Sequence, residues 1–421
     1  MSVQSIRVPV RGDCDPRFSE VAREFEHNFA VRGELGASVA VTVGDELVVD
    51  LWGGWCDADR TKPWTRDTVT VVMSCTKGAT ALCAHMLAVE GELDFDAPVT
   101  RYWPQFAAGG KESVLVRHLL THQAGVPCLR DPLPPGAMLD WEQMVACLES
   151  ETPFWKPGSG HGYHGLTYGW LVGELLRRVS GQSVGEFFRR EVAQPARVDF
   201  WIGLPESEHE RFAPALPTAP PGPDEPVSRY LIVAMTEPES MQALMMNNTG
   251  GYLTPEGWNS PAALLAELPA VGGVGNARAL ATMYRAIGHD RRVGRVSFEP
   301  EDLMRMSSVA SANDEDLMLF TPGRWALGFN KGSVTPEGVV PAAKVVLSED
   351  AFGHVGMGGS IGFTDPVADM SFAYVMNQHG PDLGLGVRGQ SLVDSVYRAL
   401  GYREPRYGRW VPPVATSGAA A

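Results

Sequence analysis

Strand-like segments stand near both ends of this 421-residue chain, and helical segments fill the middle. In the first strand-like region, β-branched and apolar residues on either side of Gly44-Asp45 indicate a β-hairpin. The strand-like segments are 36–43, 46–51, 343–348, 360–364 and 371–377. Strands at both ends with helices between them predict an α+β fold, in which the terminal segments share one sheet and the middle forms a helical domain.

Apolar residues three to four positions apart mark the helical segments. These segments are 76–90, 113–121, 140–149, 168–180, 183–192, 276–288 and 387–400. We therefore expect residues 1–72 and 290–421 to form the domain that holds the sheet, and residues 73–289 to form a mainly helical domain. The proline-rich stretch 213–227 cannot continue a helix or a central strand, so we expect a surface excursion or a lid there.

Composition and charge exclude several classes of protein. Hydrophobic residues make up 44% and charged residues 20% of the chain, which is ordinary for a protein with a large core. The net charge of −15, with 6 lysines against 29 arginines, argues against binding to nucleic acid or to an acidic membrane surface. No apolar run reaches the roughly 20 residues that span a bilayer, and the N-terminus lacks a signal-peptide pattern, so we expect a cytoplasmic protein. The cysteines share no CxxC spacing and are expected to be reduced thiols: Cys14, Cys56, Cys75, Cys83, Cys128 and Cys147.

The tetrad Ser74-Cys75-Thr76-Lys77 places a serine and a lysine three residues apart at a predicted loop-to-helix boundary. Three residues make about one helical turn, so the amine of Lys77 can reach the hydroxyl of Ser74. The helix N-terminus adds unpaired N–H groups and a partial positive charge that favour an anionic species. A serine needs a base to become a nucleophile, and a lysine can be that base when burial lowers its pKa. Taken alone, the tetrad fits a helix N-cap serine with an exposed lysine equally well.

The sequence around the tetrad is more specific than the tetrad itself. It reads SCTKGATALCAHMLAVEGELDFDAPVTRYWPQF from Ser74 and, after a short gap, VRHLLTHQAGVP up to Pro127. This resembles the penicillin-recognising serine hydrolase superfamily and, within it, the class C β-lactamase-like esterases, also called family VIII carboxylesterases. The resemblance runs from about residue 16 to residue 400. It implies the β-lactamase/transpeptidase-like fold, with an antiparallel sheet of N- and C-terminal strands flanked by helices beside a mainly helical domain.

The resemblance implies a catalytic tyrosine on the helical domain. The family's Tyr-x-Asn motif maps to Tyr163-His164-Gly165, within WKPGSGHGYHGLTYGWLVGELLRRVSG. A phenol beside the serine can act as the general base or pass the proton to the leaving group, and the division of this work between Lys77 and Tyr163 stays open. Gly165 stands where β-lactamases have asparagine, so an amide that holds amide-type substrates is missing.

The family's third element, Lys-Thr-Gly or His-Thr-Gly on a strand, maps to His354-Val355-Gly356. The resemblance implies that His354 and Gly356 contact the substrate. It also implies that the backbone N–H groups of Ser74 and Met357 form the oxyanion hole. A histidine in place of the lysine weakens the fixed cation for a substrate carboxylate, which favours an ester over a penicillin.

Three other motifs indicate different chemistry. Ser360, in Gly358-Gly359-Ser360-Ile361-Gly362, matches the nucleophile elbow of an α/β-hydrolase, with His379 as the histidine downstream, but strand-like sequence follows where the elbow needs a helix. The GxGxxG at 384–389 leaves too few residues for a dinucleotide-binding domain. His118 and His122 have the spacing of metal ligands without an acidic third ligand nearby, so we expect neither a metal ion nor a cofactor. Tryptophans that could line an acyl pocket, although each alone fits the core, are Trp141, Trp155, Trp170, Trp201, Trp258 and Trp325.

Together these features predict a serine hydrolase that cleaves short-acyl carboxylic esters through an acyl-enzyme, a carboxylesterase of the EC 3.1.1 type with weak β-lactamase activity allowed. The expected partner is a small-molecule ester or amide, with no nucleic acid and no membrane, and the oligomeric state is left open. The same Ser74, Lys77 and Tyr163 machinery also fits an acyltransferase or an amide, D-peptide or β-lactam hydrolase. A catalytically silent scaffold or a ligand sensor is the alternative from another class.

Overall fold

The computed structural model of the protein describes residues 8–218, 226–333, 343–381, 383–406 and 408–413. The α-helices are α1 (Ser19–Val31), α2 (Thr76–Val89), α3 (Val116–Leu120), α4 (Trp141–Ser150), α5 (Tyr168–Ser180), α6 (Val184–Phe188), α7 (Gln194–Ala196), α8 (Arg229–Thr236), α9 (Met241–Asn247), α10 (Pro255–Trp258), α11 (Pro261–Leu265), α12 (Ala277–Gly288), α13 (Pro300–Ser307) and α14 (Gly386–Ala399). The β-strands are β1 (Val10–Cys14), β2 (Gly36–Val43), β3 (Glu46–Gly54), β4 (Thr70–Val71), β5 (Phe200–Ile202), β6 (Gly273–Gly275), β7 (Arg292–Val293), β8 (Val296–Ser297), β9 (Ser311–Asn313), β10 (Gly323–Trp325), β11 (Phe352–Val355), β12 (Ile361–Asp365), β13 (Met370–Met376), β14 (Arg403–Arg406) and β15 (Arg409–Val411). Part of the proline-rich stretch, residues 219–225, lies outside the described residues.

The main sheet has the strand order β1-β3-β2-β13-β12-β11, and every neighbouring pair is antiparallel. Its central pair joins the two ends of the chain, because β2 and β13 run in register from Val43 opposite Met370 to Ala37 opposite Met376. Both strands are almost entirely buried, which explains their nearly continuous apolar sequence. The prediction of an α+β fold whose terminal segments share one sheet is confirmed.

Helices cover both faces of this sheet. Helices α1 and α14 pack together on one face, where Phe25 and Val393 belong to the same core as the inward side chains of β2 and β13. Helix α12 crosses the other face, and its Tyr284 ring is so close to β12 that a Cβ at Gly362 would lie 2.7 Å from it. The division at residues 73–289 stays a prediction, and α12, which that division assigns to the helical domain, packs on the sheet.

One predicted strand is wrong, and two strands of the main sheet were not predicted from the local pattern. Residues 343–347 form no strand, and Ser348 makes only an isolated bridge to Trp410. The reason lies in a side chain, because the amide of Gln390 accepts from Val346 N at 2.9 Å and donates to Val346 O at 3.0 Å. These two bonds satisfy the backbone groups that a neighbouring strand would otherwise pair. The local pattern missed the edge strands β1 and β11, although the family resemblance implies a strand at His354.

Two further expectations concern the whole chain. All six cysteines are free, and four of them are buried, as expected for a chain without a disulfide framework. Within the described ranges, no helix combines the length and the apolar character that crossing a membrane requires.

Candidate active site

Ser74 lies in a tight turn between β4 and α2. Val72 N donates to Gly273 O at 2.9 Å, which fixes the chain up to the turn. Met73 has a left-handed backbone with φ 48°, a strained conformation for a residue with a side chain. Thr76 Oγ1 donates to Met73 O at 2.6 Å and accepts from Gly273 N at 2.8 Å, so the first residue of α2 is anchored to β6. Ser74 is thereby held at the N-terminal end of a buried helix, with 8% of its surface exposed.

Lys77, on the first turn of α2, is fully buried. Its Nζ lies 3.0 Å from Ser74 Oγ and donates to two backbone carbonyls, Gly165 O at 2.7 Å and Ala270 O at 3.0 Å. Burial holds the pKa of Lys77 well below its usual value, because an ammonium group without water is unfavourable. A neutral amine has two N–H bonds and one lone pair. When Lys77 is in this neutral form, the carbonyls take its two N–H groups and its lone pair faces Ser74 Oγ.

Tyr163 brings a third group to the serine. Its hydroxyl donates to Ser74 Oγ at 2.8 Å, and its ring stacks on Trp325 with the centroids 5.4 Å apart and the planes 8° from parallel. Its backbone N–H donates to Asp316 Oδ1 at 3.1 Å. Burial raises the pKa of Tyr163 above its usual value, so the phenol keeps its proton. The structure therefore brings the side chains of Ser74, Lys77 and Tyr163 together.

His354 lies on β11 with 2% of its surface exposed. Its Nδ1 is 2.7 Å from Val355 O and must carry the ring proton, because a carbonyl oxygen can only accept. Its Nε2 has no hydrogen-bond partner among the residues that the structure describes. Burial and the neighbouring Lys77 lower the pKa of His354 to about 3. The ring is therefore a neutral hydrogen-bond acceptor.

The turn that follows β11 packs directly on the turn of Ser74. A Cβ at Gly356 would lie 2.3 Å from Val72 O and 3.4 Å from Met73 Cβ, so only a glycine fits this contact. Met357 is the next residue, and its backbone continues from this contact. Gly356 thus lies against the turn of Ser74, and the oxyanion-hole role of the Met357 N–H stays a prediction.

The position of the family's asparagine is filled from another helix. A Cβ at Gly165 would lie 2.8 Å from Sδ of Met245, a buried residue of α9. A side chain at residue 165 would therefore compete with this thioether. The backbone of Gly165 has a different use here, because its carbonyl holds Lys77.

A cavity opens beside Tyr163 and His354. Residues of several elements form its apolar and aromatic walls: Tyr163, Leu319, Trp325, Val345, Val355 and Leu383. The charged side chain of Arg324 at the cavity is paired with Glu349 at 2.6 Å. Beside Tyr163 the cavity thus combines an apolar and aromatic wall with the charged residues Asp316, Arg324 and Lys344.

The alternative motifs have structural explanations. Ser360 lies in the turn between β11 and β12, so the strand–turn–helix context of a nucleophile elbow is absent. The GxGxxG at 384–389 runs into the first turn of α14. His118 Nδ1 accepts from Leu115 N at the start of α3, and neither His118 nor His122 belongs to a cluster of possible metal ligands in the described part of the chain.

Three groups that hold this site were not found from the sequence. Two are the carbonyls of Gly165 and Ala270, which bind Lys77 through the backbone and leave no trace in a side-chain motif. The third is Asp316, which lies 153 residues from Tyr163 in a segment without any motif. Trp325, in contrast, is among the tryptophans that the sequence offers for an acyl pocket, and it contacts Tyr163.

Comparisons with known proteins cover nearly the whole chain. A family model described as Beta-lactamase matches residues 21–414. The esterase/beta-lactamase LipL of Mycobacterium tuberculosis is 34% identical over 381 residues, which cover 88% of this chain and 83% of that protein. The crystal structure of a family VIII carboxylesterase superposes with a TM-score of 0.80 at 34% identity, covering 93% of this chain and 100% of the other. A penicillin-binding protein homologue from Caulobacter crescentus gives a TM-score of 0.79 at 34% identity, with the same coverage.

Proposed function

The chain belongs to the Beta-lactamase family and is a hydrolase of its carboxylesterase/β-lactamase kind, and on that premise we propose that it cleaves short-acyl carboxylic esters through an acyl-enzyme on Ser74. One observation carries the proposal, the approach of two groups to one oxygen. Ser74 Oγ has Lys77 Nζ at 3.0 Å and the Tyr163 hydroxyl at 2.8 Å. A serine hydroxyl so placed has a base and a proton donor within hydrogen-bond distance.

In the proposed acylation, Ser74 Oγ attacks the ester carbonyl while its proton moves to Lys77 Nζ. The buried amine, whose pKa is lowered and whose N–H groups donate to Gly165 O and Ala270 O, supports this choice of base. The new Oγ–C bond converts the carbonyl to a tetrahedral oxyanion. The backbone N–H groups of Ser74 and Met357 are the proposed donors to that oxyanion.

In the proposed collapse of this intermediate, the bond to the alcohol oxygen breaks and the alkoxide takes a proton. Tyr163 is the proposed donor, because its protonated hydroxyl already points at Ser74 Oγ. Lys77, now an ammonium, passes its proton to the Tyr163 phenolate, so both side chains return to their starting protonation states. Water then attacks the acyl-enzyme by the same steps, which releases the acid and regenerates the serine.

Three features support an ester rather than a penicillin as the substrate. Gly165 offers no side-chain amide, and Met245 fills the adjoining space. His354 is neutral and presents an acceptor, so it provides no cation for a substrate carboxylate. The cavity beside Tyr163, the residue whose hydroxyl contacts Ser74, has an apolar wall suited to a short acyl group. The names of the carboxylesterase relatives agree with this substrate class.

The test compares two serine variants by hydrolysis of one ester and by labelling with one covalent probe. We expect the protein to hydrolyse p-nitrophenyl butyrate and to become labelled by a fluorophosphonate probe on the peptide that contains Ser74, as located by mass spectrometry. Ser74→Ala should abolish both. Ser360→Ala, which removes the rival serine of the elbow-like motif, should retain both.

Each other result selects an alternative. Nitrocefin cleavage that matches ester hydrolysis would assign the protein to the β-lactam hydrolases. Product formation that requires an added alcohol would indicate acyl transfer. A chain that is neither labelled nor active would be a silent scaffold or sensor, and retained activity in Ser74→Ala would remove the proposed nucleophile.

A further inference from the structure

Tyr163 sits in a segment that cannot position it alone. Residues 161–167 form neither a helix nor a strand, although Tyr163 must keep its hydroxyl within hydrogen-bond distance of Ser74 Oγ. Loop residues lack the backbone hydrogen-bond ladder that fixes a helix or a strand. The geometry of this tyrosine therefore depends on what packs and bonds against the segment.

The β9–β10 hairpin contacts Tyr163 at its ring and at its backbone. Trp325, on β10, stacks on the ring, and Asp316, in the connection between β9 and β10, accepts the backbone N–H of Tyr163 at 3.1 Å. A second contact joins the same two segments, since Leu317 N donates to His161 O at 3.1 Å. Ring and backbone are thus fixed by one structural unit.

The carboxylate of Asp316 also accepts hydrogen bonds from the backbone of its own β9–β10 connection. Oδ1 also accepts from Met318 N and Leu319 N, both at 2.9 Å, so three backbone N–H groups converge on one oxygen of a side chain that is 1% exposed. Leu319 in turn lines the cavity beside Tyr163 and His354. One buried acceptor therefore sets the position of Tyr163 and of the cavity wall together.

The other oxygen of Asp316 faces an imidazole. Oδ2 lies 3.6 Å from His161 Nε2, and neither atom has a hydrogen-bond partner in the described residues. His161 Nδ1 is 2.7 Å from Ser311 Oγ on β9, so the imidazole is anchored to the same hairpin. The three backbone N–H groups on Oδ1 and the burial of the side chain hold this carboxylate in one orientation.

We propose that Asp316 is a positioning residue for the ester cleavage, acting through Tyr163, whose backbone it holds so that the phenol stays in contact with Ser74 Oγ. The inference rests on the proposed function, because it takes Tyr163 as the proton donor to the leaving group. Asp316 itself touches no reacting atom.

The test is a double-mutant cycle with Tyr163→Phe, using p-nitrophenyl butyrate and single-turnover release of p-nitrophenol. Asp316→Ala should lower kcat about 100-fold with little change in KM, because a small misplacement of a catalytic group costs about that factor. In a chain that already carries Tyr163→Phe, the same change should lower kcat by less than about 3-fold, because two residues that act through one step are not additive.

Two more variants separate positioning from a loss of folding. Asp316→Asn keeps an oxygen that can accept the N–H of Tyr163, so it should recover most of the activity that Asp316→Ala loses. Asp314→Ala removes an exposed carboxylate from the same connection and should leave kcat unchanged. Thermal unfolding of each variant shows which fraction is folded at the assay temperature.

The possible outcomes distinguish a failure of the Asp316 role from a failure of the proposed function. Equal losses from Asp316→Ala in both backgrounds, or an Asp316→Asn variant as damaged as Asp316→Ala, would overturn the role of Asp316 while leaving the proposed function intact. Full activity in Tyr163→Phe would show that the phenol is not needed for ester cleavage, and it would therefore overturn the role of Asp316 as well. Activity in Ser74→Ala would overturn the proposed function whatever the cycle gives.

Discussion

The surroundings of two buried lysines differ at the level of single atoms. Lys111 Nζ donates to three backbone carbonyls, those of Ala108, Glu149 and Glu151, which matches the three N–H bonds of an ammonium group. Lys77 Nζ has two carbonyls and a serine hydroxyl. The first arrangement suits a structural cation. The second suits a neutral amine that can accept a proton from the hydroxyl.

The pH dependence of ester hydrolysis should report this difference. Because burial lowers the pKa of Lys77, its amine loses its proton at a lower pH than an exposed lysine does, and it becomes protonated again as the pH falls through that lowered value. We expect kcat/KM to rise with pH through an acid limb and then to stay level into the alkaline range, since the pKa of Tyr163 is raised. Rates of p-nitrophenyl butyrate hydrolysis across buffers of constant ionic strength measure the limb.

Substitutions assign the limb to one residue. Tyr163→Phe should lower the plateau and keep the acid limb, whereas Lys77→Arg, whose guanidinium stays protonated, should lose activity by about 10²–10⁴-fold at every pH. Lys111→Arg is the matched change at a buried lysine outside the site and should leave the profile unchanged. Loss of the acid limb in Tyr163→Phe would mean that the phenol, not the amine, is the base.

The contact between Gly165 and Met245 gives a second test at this scale. Gly165→Ala places a Cβ 2.8 Å from Met245 Sδ, next to the carbonyl that binds Lys77. We expect kcat to fall about tenfold, because the carbonyl or the thioether must shift. Met245→Ala added to the same chain should recover most of this loss by making room. If Gly165→Ala is fully active, or if the double variant is no better, the contact does not set the position of Lys77.

At the scale of elements, the sequence predicts best where one local signal decides the structure. The hairpin of β2 and β3 follows from its β-branched residues and its turn, and α2 follows from its apolar spacing and from Gly91 after its end. The stretch 343–348 has equally strand-like residues, yet Gln390 from α14 takes the backbone groups of Val346. A side chain distant in sequence can thus take the hydrogen bonds that a neighbouring strand would make, and the local sequence pattern does not predict this.

The contacts of the candidate site also differ in whether local sequence predicts them. The distance between Ser74 and Lys77 follows from the rise of a helix, so the sequence predicts it without further information. The contact of Tyr163 with Ser74 spans 89 residues and came from the family resemblance. The contact of Asp316 with Tyr163 depends on how two loops meet, which neither periodicity nor a motif encodes.

His289, the residue directly after α12, links two turns of the main sheet. His289 Nδ1 lies 2.6 Å from Asp369 Oδ1, in the β12–β13 turn, and Nε2 lies 3.4 Å from Asp45 Oδ1, in the β2–β3 turn. The hydrogen bond and charge of Asp369 raise the pKa of His289. A raised pKa means that the stabilisation is complete below the ordinary histidine pKa of 6.5 and is lost as the pH rises through the raised value.

We therefore expect His289→Gln to destabilise the protein in weak acid and to have little effect in alkali. The loss should be about 0.5 kcal/mol near pH 5.5 and close to zero near pH 9, small because the pair is partly exposed and screened by water. Urea unfolding of both proteins at the two pH values measures the difference. A larger loss at the alkaline pH would contradict the assigned sign.

At the scale of the whole molecule, the sheet and the helical region share a core. Ala40 of β2 and Ala373 and Val375 of β13 belong to the same buried cluster as Leu82 of α2 and Leu171 of α5. The opposite face of the sheet has its own cluster with α1 and α14. Since β11 and its turn supply His354, Gly356 and Met357, the site needs the sheet and the helices to be folded together.

Leu392→Ala tests this coupling from the remote face. Leu392 lies on α14, is fully buried and contributes to the cluster with α1, so its truncation should cost about 2–5 kcal/mol of unfolding free energy. We expect kcat of the folded enzyme at 25 °C to stay unchanged, while the urea midpoints of tryptophan fluorescence and of esterase activity shift downwards together. Val387→Ala, at a position on the same helix that is 64% exposed, is the matched control and should shift neither midpoint. A fluorescence midpoint that moves while the activity midpoint stays would show that the helical region holds the site without the sheet, in conflict with the shared core.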